Sequence, residues 1–255
     1  MLIRVAALVA LLASLMGCTP DSDAAAPSGR NTAMAAAPGG VPAARWHVVL
    51  IAGDNNSPSF DNGVDALRDK LSARGVRDIR VLTSDSGRNP SAQIASAANV
   101  SNALRNADGA GACLAFITSH GTETGVVLRP ANGVIRPSAL DTALDAGCGA
   151  LPTVIVVSAC HSGVFLTPAM RQPNRVVLTA AAADRVSFGC GAGDRFTYYD
   201  QCLLQQFDAA ATWGQLAQAT RACVQNLEKS MGIRTPSQPQ TFVGSAVADL
   251  RLPGR

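Results

Sequence analysis

The chain has few charged and few aromatic residues. Of its 255 residues, 15% are charged and 4% are aromatic, and the formal net charge is +3. The lysines and arginines are scattered, with no basic run and few aromatics between them, whereas a nucleic-acid-binding surface combines the two. The sequence therefore predicts no nucleic-acid partner. The hydrophobic residues make up 47% of the chain, which is enough for one core of about 200 residues.

Several motifs of metal and cofactor sites are also missing. No C-x-x-C pair occurs, so neither a zinc knuckle nor a thioredoxin-type site is supported, and Cys160-His161 alone would lack further metal ligands. There is no G-x-S-x-G elbow of a serine hydrolase, and no G-x-G-x-x-G or Walker motif for a nucleotide. We therefore expect no cofactor and no metal.

The first 18 residues resemble a bacterial lipoprotein signal peptide. A short n-region with one positive charge precedes an apolar run, Val5 to Met16, which is too short to span a bilayer comfortably. The run ends at Leu15-Met16-Gly17-Cys18, which resembles a lipobox whose cysteine is lipidated and becomes the mature N-terminus. This predicts a membrane anchor at Cys18 and a place in the bacterial cell envelope, on the outer membrane facing the periplasm. A plain signal peptide is the alternative.

Residues 19–44 form a second distinct segment. They are rich in Ala, Pro, Gly, Ser and Asp and show no hydrophobic period. Such a composition cannot bury enough surface to offset the entropy of ordering, so we expect a flexible tether. The folded domain is predicted to span residues 45–255.

Apolar runs alternate with helical patterns throughout this domain, which predicts an α/β fold with a mostly parallel sheet covered on both faces. In such sheets, functional groups collect beyond the carboxyl ends of the strands. The predicted strands are residues 46–52, 79–82, 113–119, 153–158, 176–180 and 241–247. The predicted helices begin near Asn62, at Asn89-Pro90 and at Pro137, and two more cover residues 197–210 and 213–229.

Two of the predicted strands end in residues that could react together. The third runs into Ser119-His120-Gly121 and the fourth into Ala159-Cys160-His161. If the two strands are parallel neighbours, His120 and Cys160 face each other. An imidazole beside a thiol favours the thiolate–imidazolium pair, which is a nucleophile at neutral pH. Gly121 would let the backbone approach a substrate carbonyl, so its N–H and that of Cys160 could form an oxyanion hole.

The pattern of a strand, His-Gly, a second strand and Ala-Cys-x-Ser-Gly resembles the legumain-type cysteine peptidases, relatives of caspases and gingipains. The likeness extends to Trp46–Asn55, Leu178–Cys190 and Phe196–Tyr199, and it covers residues 45 to 250. It implies a caspase-like three-layer α/β/α sandwich and a peptide or protein substrate. It also implies that His120 is the base, that Cys160 is the nucleophile, and that Gly121 and Cys160 donate to the oxyanion. His161 adjoins Cys160, so we expect its side chain to leave the turn in another direction.

The sequence departs from legumains around the substrate pocket. Their acidic residue two positions before the nucleophile is Ser158 here, and their asparagine-reading Arg-His pair aligns with Asp61-Asn62. Asparaginyl specificity is therefore not expected. A carboxylate in place of a cation predicts a basic residue at P1, with Ser187 as a polar wall of the pocket. The alternative is that Asp61 only caps the helix beginning near Asn62.

Six cysteines remain after Cys18, and an exported protein forms disulfides. Cys113 and Cys148 lie at or just before the starts of the third and fourth predicted strands, at the sheet edge opposite the reactive residues. Neighbouring parallel strands are about 4.8 Å apart, which suits a disulfide. We therefore predict a Cys113–Cys148 bridge, while a second pair among Cys190, Cys202 and Cys223 is left open.

Two other functions are compatible with the same residues. A transpeptidase or transamidase of the family would share the acyl-enzyme chemistry and differ only in the acceptor, an amine instead of water. A non-catalytic envelope-binding lipoprotein would keep the fold without an activated thiolate. The oligomeric state is not predicted.

Overall fold

The computed structural model describes residues 40–129 and 131–255. The predicted signal peptide, the lipidation of Cys18 and most of the predicted tether lie outside the described residues and stay predictions. Within the described ranges, no helix is long and apolar enough to cross a membrane.

A seven-stranded sheet forms the centre of the domain. Its strand order is β10-β9-β8-β4-β1-β2-β3, and every pairing is parallel except the one between β10 and β9. The strands in chain order are β1 Trp46–Ala52, β2 Asp78–Thr83, β3 Gln93–Ile94, β4 Ala112–Thr118, β5 Gly121–Thr122, β6 Gly125–Leu128, β7 Gly133–Ile135, β8 Thr153–Ser158, β9 Arg175–Thr179 and β10 Gln240–Val243. The central strands β1, β4 and β8 are buried along their whole length, because helices cover both faces.

Five α-helices form the two outer layers. They are α1 Pro58–Ala73, α2 Ala97–Arg105, α3 Pro137–Gly147, α4 Tyr198–Gln206 and α5 Trp213–Ser230. Helices α1, α4 and α5 contribute to one hydrophobic cluster with one face of the sheet, and α2 and α3 contribute to a second cluster with the other face. The domain is therefore the predicted three-layer α/β/α sandwich around a mostly parallel sheet.

Two helices begin elsewhere than predicted. Helix α1 begins at Pro58, after the N-cap Ser57, so the alternative that Asp61 is the cap residue is wrong. The predicted helix start at Asn89-Pro90 is also wrong. That segment is a turn leading into β3, and α2 begins only at Ala97, where the Ser96 side chain accepts the N–H of Asn99. The fixed φ angle of Pro90 serves a turn here and does not begin a helix.

The strands β5, β6 and β7 form a small antiparallel sheet that was not predicted from the sequence. It follows His120 directly and returns the chain to α3. Its strands have two to four residues each, which is too short for a recognisable alternation of apolar and polar residues.

Two disulfides cross-link the domain. The predicted Cys113–Cys148 bridge is confirmed, with a Cα–Cα distance of 6.2 Å. A second bridge joins Cys202 of α4 to Cys223 of α5. Among the described residues, Cys160 and Cys190 are the free cysteines.

Candidate active site

His120 and Cys160 follow neighbouring parallel strands that are paired in register. Thr118 of β4 is the partner of Ser158 of β8, and the Ser119 N–H donates to the Ser158 carbonyl at 3.1 Å. Each reactive residue comes two positions after this last pair, so the two lie side by side at the carboxyl edge of the sheet. Both are partly exposed.

The His120 ring is positioned by packing. It stands edge-on to the Phe60 ring of α1, with the ring centroids 5.1 Å apart. The His120 carbonyl accepts the N–H of Val127 in β6 at 2.9 Å, which fixes the backbone. In the described ranges no hydrogen bond joins the ring to Cys160 Sγ. Catalytic hydrogen bonds are often long without substrate and tighten when it binds.

Gly121 lies against the backbone of Cys160. A Cβ at position 121 would approach the Cys160 carbonyl oxygen to less than 3.0 Å, closer than real Cβ atoms come. Gly121 pairs with Val126 across β5 and β6, and the flanking Val127-to-His120 bond turns the Gly121 N–H away from β6. The N–H of Cys160 bonds to no described backbone carbonyl. Two free N–H donors therefore stand beside the thiol.

Ser187 lies next to the thiol of Cys160. Its backbone N–H donates to Cys160 Sγ at 3.3 Å, and its carbonyl oxygen and Oγ lie 3.6 and 3.8 Å from the same sulfur. Ser187 belongs to the segment that follows β9, and this segment runs beside the turn that carries Cys160. The position is compatible with the predicted wall of a substrate pocket.

His161 points away from Cys160 Sγ towards a different segment. Its backbone is in the left-handed region, with φ of 56°. Its N–H donates to the Arg185 carbonyl at 2.7 Å, and its Nδ1 donates to the Ala183 carbonyl at 2.9 Å. The imidazole therefore holds the segment after β9 in place.

The other predicted substrate-binding residues are more buried. Asp61 is 6% exposed, and its Oδ1 accepts the Thr83 hydroxyl at 2.6 Å. Burial raises the pKa of Asp61, and the Thr83 hydrogen bond partly offsets this. Ser158 is 1% exposed and its Oγ lies 3.2 Å from the Thr197 hydroxyl, so a substrate could reach it only at the bottom of a pocket.

Asn62 is partly exposed and links three segments of the domain. Its Nδ2 donates to the Arg195 carbonyl at 2.8 Å, and its Oδ1 accepts from Arg88 at 2.7 Å. Arg88 also pairs with Asp65 of α1 at 3.1 Å. Asn62 therefore connects the start of α1 to the loop after β2 and to the loop before α4.

A buried carboxyl group under the strand ends was not predicted as part of the site. Asp200 in the first turn of α4 is completely buried, and its Oδ2 accepts the Thr118 hydroxyl at 2.7 Å. Burial raises the pKa of Asp200 to about 6, although hydrogen bonds, first that from Thr118, lower it in part. The Thr197-x-x-Asp200 capping pattern in the sequence signals the helix start but not this contact.

Cys190 is the second free thiol near the site. Burial raises its pKa, and the neighbouring Cys160 raises it further. Cys190 is therefore kept as a thiol more strongly than an exposed cysteine, and it is a poor nucleophile at neutral pH. Among the described residues, no three His, Cys, Asp or Glu side chains are grouped so that they could hold a metal ion.

The fold defines the class of protein as a caspase-like α/β/α sandwich, with a free cysteine at the carboxyl edge of its sheet. Among the solved structures that match, caspase-1 from Spodoptera frugiperda superposes with a TM-score of 0.57. The alignment covers 86% of this chain and 93% of the caspase at 12% sequence identity. This likeness shows the fold alone.

The family follows from the sequence. The model of the peptidase C13 family, the legumain family, matches residues 96–230, which contain both His120 and Cys160. The chain belongs to this family, and it is a cysteine peptidase. The comparison with curated proteins gave no match.

Proposed function

We propose that this protein is a cysteine endopeptidase that uses His120 and Cys160 as a catalytic dyad. The observation that carries the proposal is the backbone contact between Gly121 and Cys160. Because Gly121 directly follows His120, this contact supports a site in which the Cys160 thiol, the His120 imidazole and two N–H donors act together at the end of the sheet. That is the combination that acyl transfer from a peptide requires.

The chemistry follows from these positions. His120 accepts the proton of the Cys160 thiol, and the thiolate attacks the carbonyl carbon of the scissile bond. The N–H groups of Gly121 and Cys160 donate to the oxyanion that forms. The C–N bond then breaks, His120 returns the proton to the leaving amine, and a thioester remains on Cys160. His120 next takes a proton from water, whose oxygen attacks the thioester carbonyl carbon. The C–S bond then breaks, the carboxylic acid product leaves, and His120 returns the proton to the Cys160 thiolate.

Labelling with a peptidyl acyloxymethyl ketone tests the proposal. We expect the full-length protein to gain one inhibitor adduct on Cys160, because only an activated thiolate displaces the acyloxy group at a useful rate. Peptide mapping by mass spectrometry locates the adduct. A Cys190→Ser variant is the matched control and should be labelled as the wild type is. Adduct formation that persists in Cys160→Ala, or no adduct in the wild type, would contradict the proposal and favour a non-catalytic binding protein.

We further propose that the primary pocket prefers a basic P1 residue. Asp61 Oδ2 has no hydrogen-bond partner among the described residues and is not completely enclosed, so an incoming Lys or Arg could pair with it. With fluorogenic substrates that differ only at P1, we expect Arg or Lys to exceed Asn and Asp about tenfold in kcat/KM, and Asp61→Asn to remove most of this preference. Efficient cleavage after Asn or Asp but not after Arg or Lys would show that other residues read P1.

A further inference from the structure

A polar groove is lined in part by Gly163, three residues after Cys160, and has no role in the chemistry above. We call it the arginine groove. It has a volume of about 530 Å³. It is lined by Gly163, Leu166, Arg171, Arg221 and residues 238–242. These residues come from the turn after Cys160, the segment before β9, helix α5 and the start of the edge strand β10.

One end of the groove is built on the same backbone as the nucleophile. Gly163 comes three residues after Cys160, and a Cβ there would collide with the backbone nitrogen of Ala183. The turn and the segment after β9 are therefore packed backbone to backbone, and the His161-to-Ala183 hydrogen bond joins them a second time. This end of the groove is therefore joined through the backbone to the turn that carries Cys160.

The charge of the groove is unbalanced. Arg171 and Arg221 are exposed, and neither side chain has a salt bridge or hydrogen bond within the described ranges. No aspartate or glutamate lines the groove. By contrast, Arg175, four residues after Arg171, is paired with two carboxylates. Guanidinium groups bind carboxylates with directed, charge-assisted hydrogen bonds.

The wall of the groove is held firmly against the segment after β9. The Ala182 N–H donates to the Ser237 carbonyl at 2.8 Å, and the Ser237 N–H donates to the buried carboxylate of Glu228 at 2.9 Å. Gln238 then takes a left-handed conformation, with φ of 56°. A non-glycine residue is seldom found there, so this conformation is imposed by its surroundings. Gln238 and Gln240 both line the groove.

We propose that the arginine groove is a substrate subsite that binds an acidic side chain of the peptide outside the P1 position. Arg171 and Arg221 bind the carboxylate, and Gln238 and Gln240 offer additional hydrogen-bond donors. The inference rests on the proposed function, because it takes the peptide to be positioned by Cys160. Together with Asp61, it gives the protein two recognition points of opposite charge.

The test uses binding to full-length Cys160→Ala protein, so that it does not depend on turnover. The probes are fluorescent ten-residue peptides that carry one Arg at a fixed position, to serve as P1, and a single Glu that is moved stepwise along the otherwise uncharged sequence. Each is compared with the same peptide carrying Gln. We expect one narrow range of positions to favour Glu about tenfold in Kd. Adding Arg171→Gln or Arg221→Gln should reduce that ratio to about twofold or less.

Arg77→Gln is the matched control, since Arg77 is an exposed arginine near the start of β2, at the opposite edge of the sheet. It removes the same charge and should keep the tenfold ratio. If Arg77→Gln reduces the Glu-to-Gln ratio as much as Arg171→Gln and Arg221→Gln do, the effect of charge is non-specific and the proposed subsite is overturned. A Glu-to-Gln ratio near one at every position would also overturn it. Turnover of the same peptides by the wild-type protein separates the proposed subsite from the proposed peptidase function. Cys160-dependent cleavage without any preference for Glu would contradict the subsite alone. Glu-selective binding without cleavage would contradict the peptidase function.

Discussion

Cys160→Ala and His120→Ala should each lower kcat/KM for a peptide substrate by about 10⁴-fold, because an enzyme whose catalytic residues act as a unit loses most of its rate when either residue is removed. His161→Ala should stay within about tenfold of the wild type. Its imidazole bonds to the Ala183 carbonyl and is turned away from the thiol. Initial rates with one fluorogenic substrate, measured for all three variants of the full-length protein, check this prediction.

Loss of activity must be separated from loss of folding. His120 packs on Phe60, so its removal could lower stability. Thermal unfolding of each variant supplies that control, and His120→Asn offers a second replacement that keeps much of the ring volume without a base of suitable strength. An inactive His161→Ala beside an active His120→Ala would reverse the assignment of the base.

Gly121→Ala is expected to lower kcat by about 10²- to 10³-fold, the effect of losing an oxyanion donor. The added Cβ meets the carbonyl oxygen of Cys160, which is backbone and cannot move aside as a side chain could. Either Gly121 or the turn that carries Cys160 must shift. A small displacement of the Gly121 and Cys160 N–H groups weakens their stabilisation of the transition state. The defect should appear in kcat more than in KM, because the oxyanion exists only in the transition state and the intermediates.

Gly133→Ala is the matched control in the same small sheet. A Cβ at position 133 would have its nearest neighbour 3.8 Å away, which is ordinary contact, so near wild-type activity is expected. If Gly121→Ala keeps full kcat while its unfolding is unchanged, the proposed oxyanion hole is elsewhere. If only its stability falls, the close contact has a structural role alone.

Most strands of the central sheet could be predicted from the sequence. β1, β4 and β8 are continuous apolar runs, because a strand with helices on both faces has no polar side to show. His120 and Cys160 follow the carboxyl ends of β4 and β8, which is where the fold class predicts functional groups. The same reasoning about the opposite strand ends predicted the Cys113–Cys148 bridge.

Shorter and more distant features could not be predicted in this way. The strands β5 to β7 are too short to show a period, and the turn at Asn89-Pro90 has the same local pattern as a helix start. Asp200 is remote in sequence from Thr118, and its burial depends on how α4 packs beneath the sheet. The partner of Cys202 depended in the same way on the packing of α4 against α5.

The sequence by itself determined the α/β class, and it was enough to propose the sheet edge of the active site and the two residues His120 and Cys160, because hydrophobic periodicity and strand ends are local properties of the chain. Only the tertiary structure decided which backbone groups are free beside the thiol, where the His161 ring points, and that Arg171 and Arg221 share a groove. Those facts depend on contacts between segments far apart in sequence, and such contacts are set by packing rather than by any local pattern.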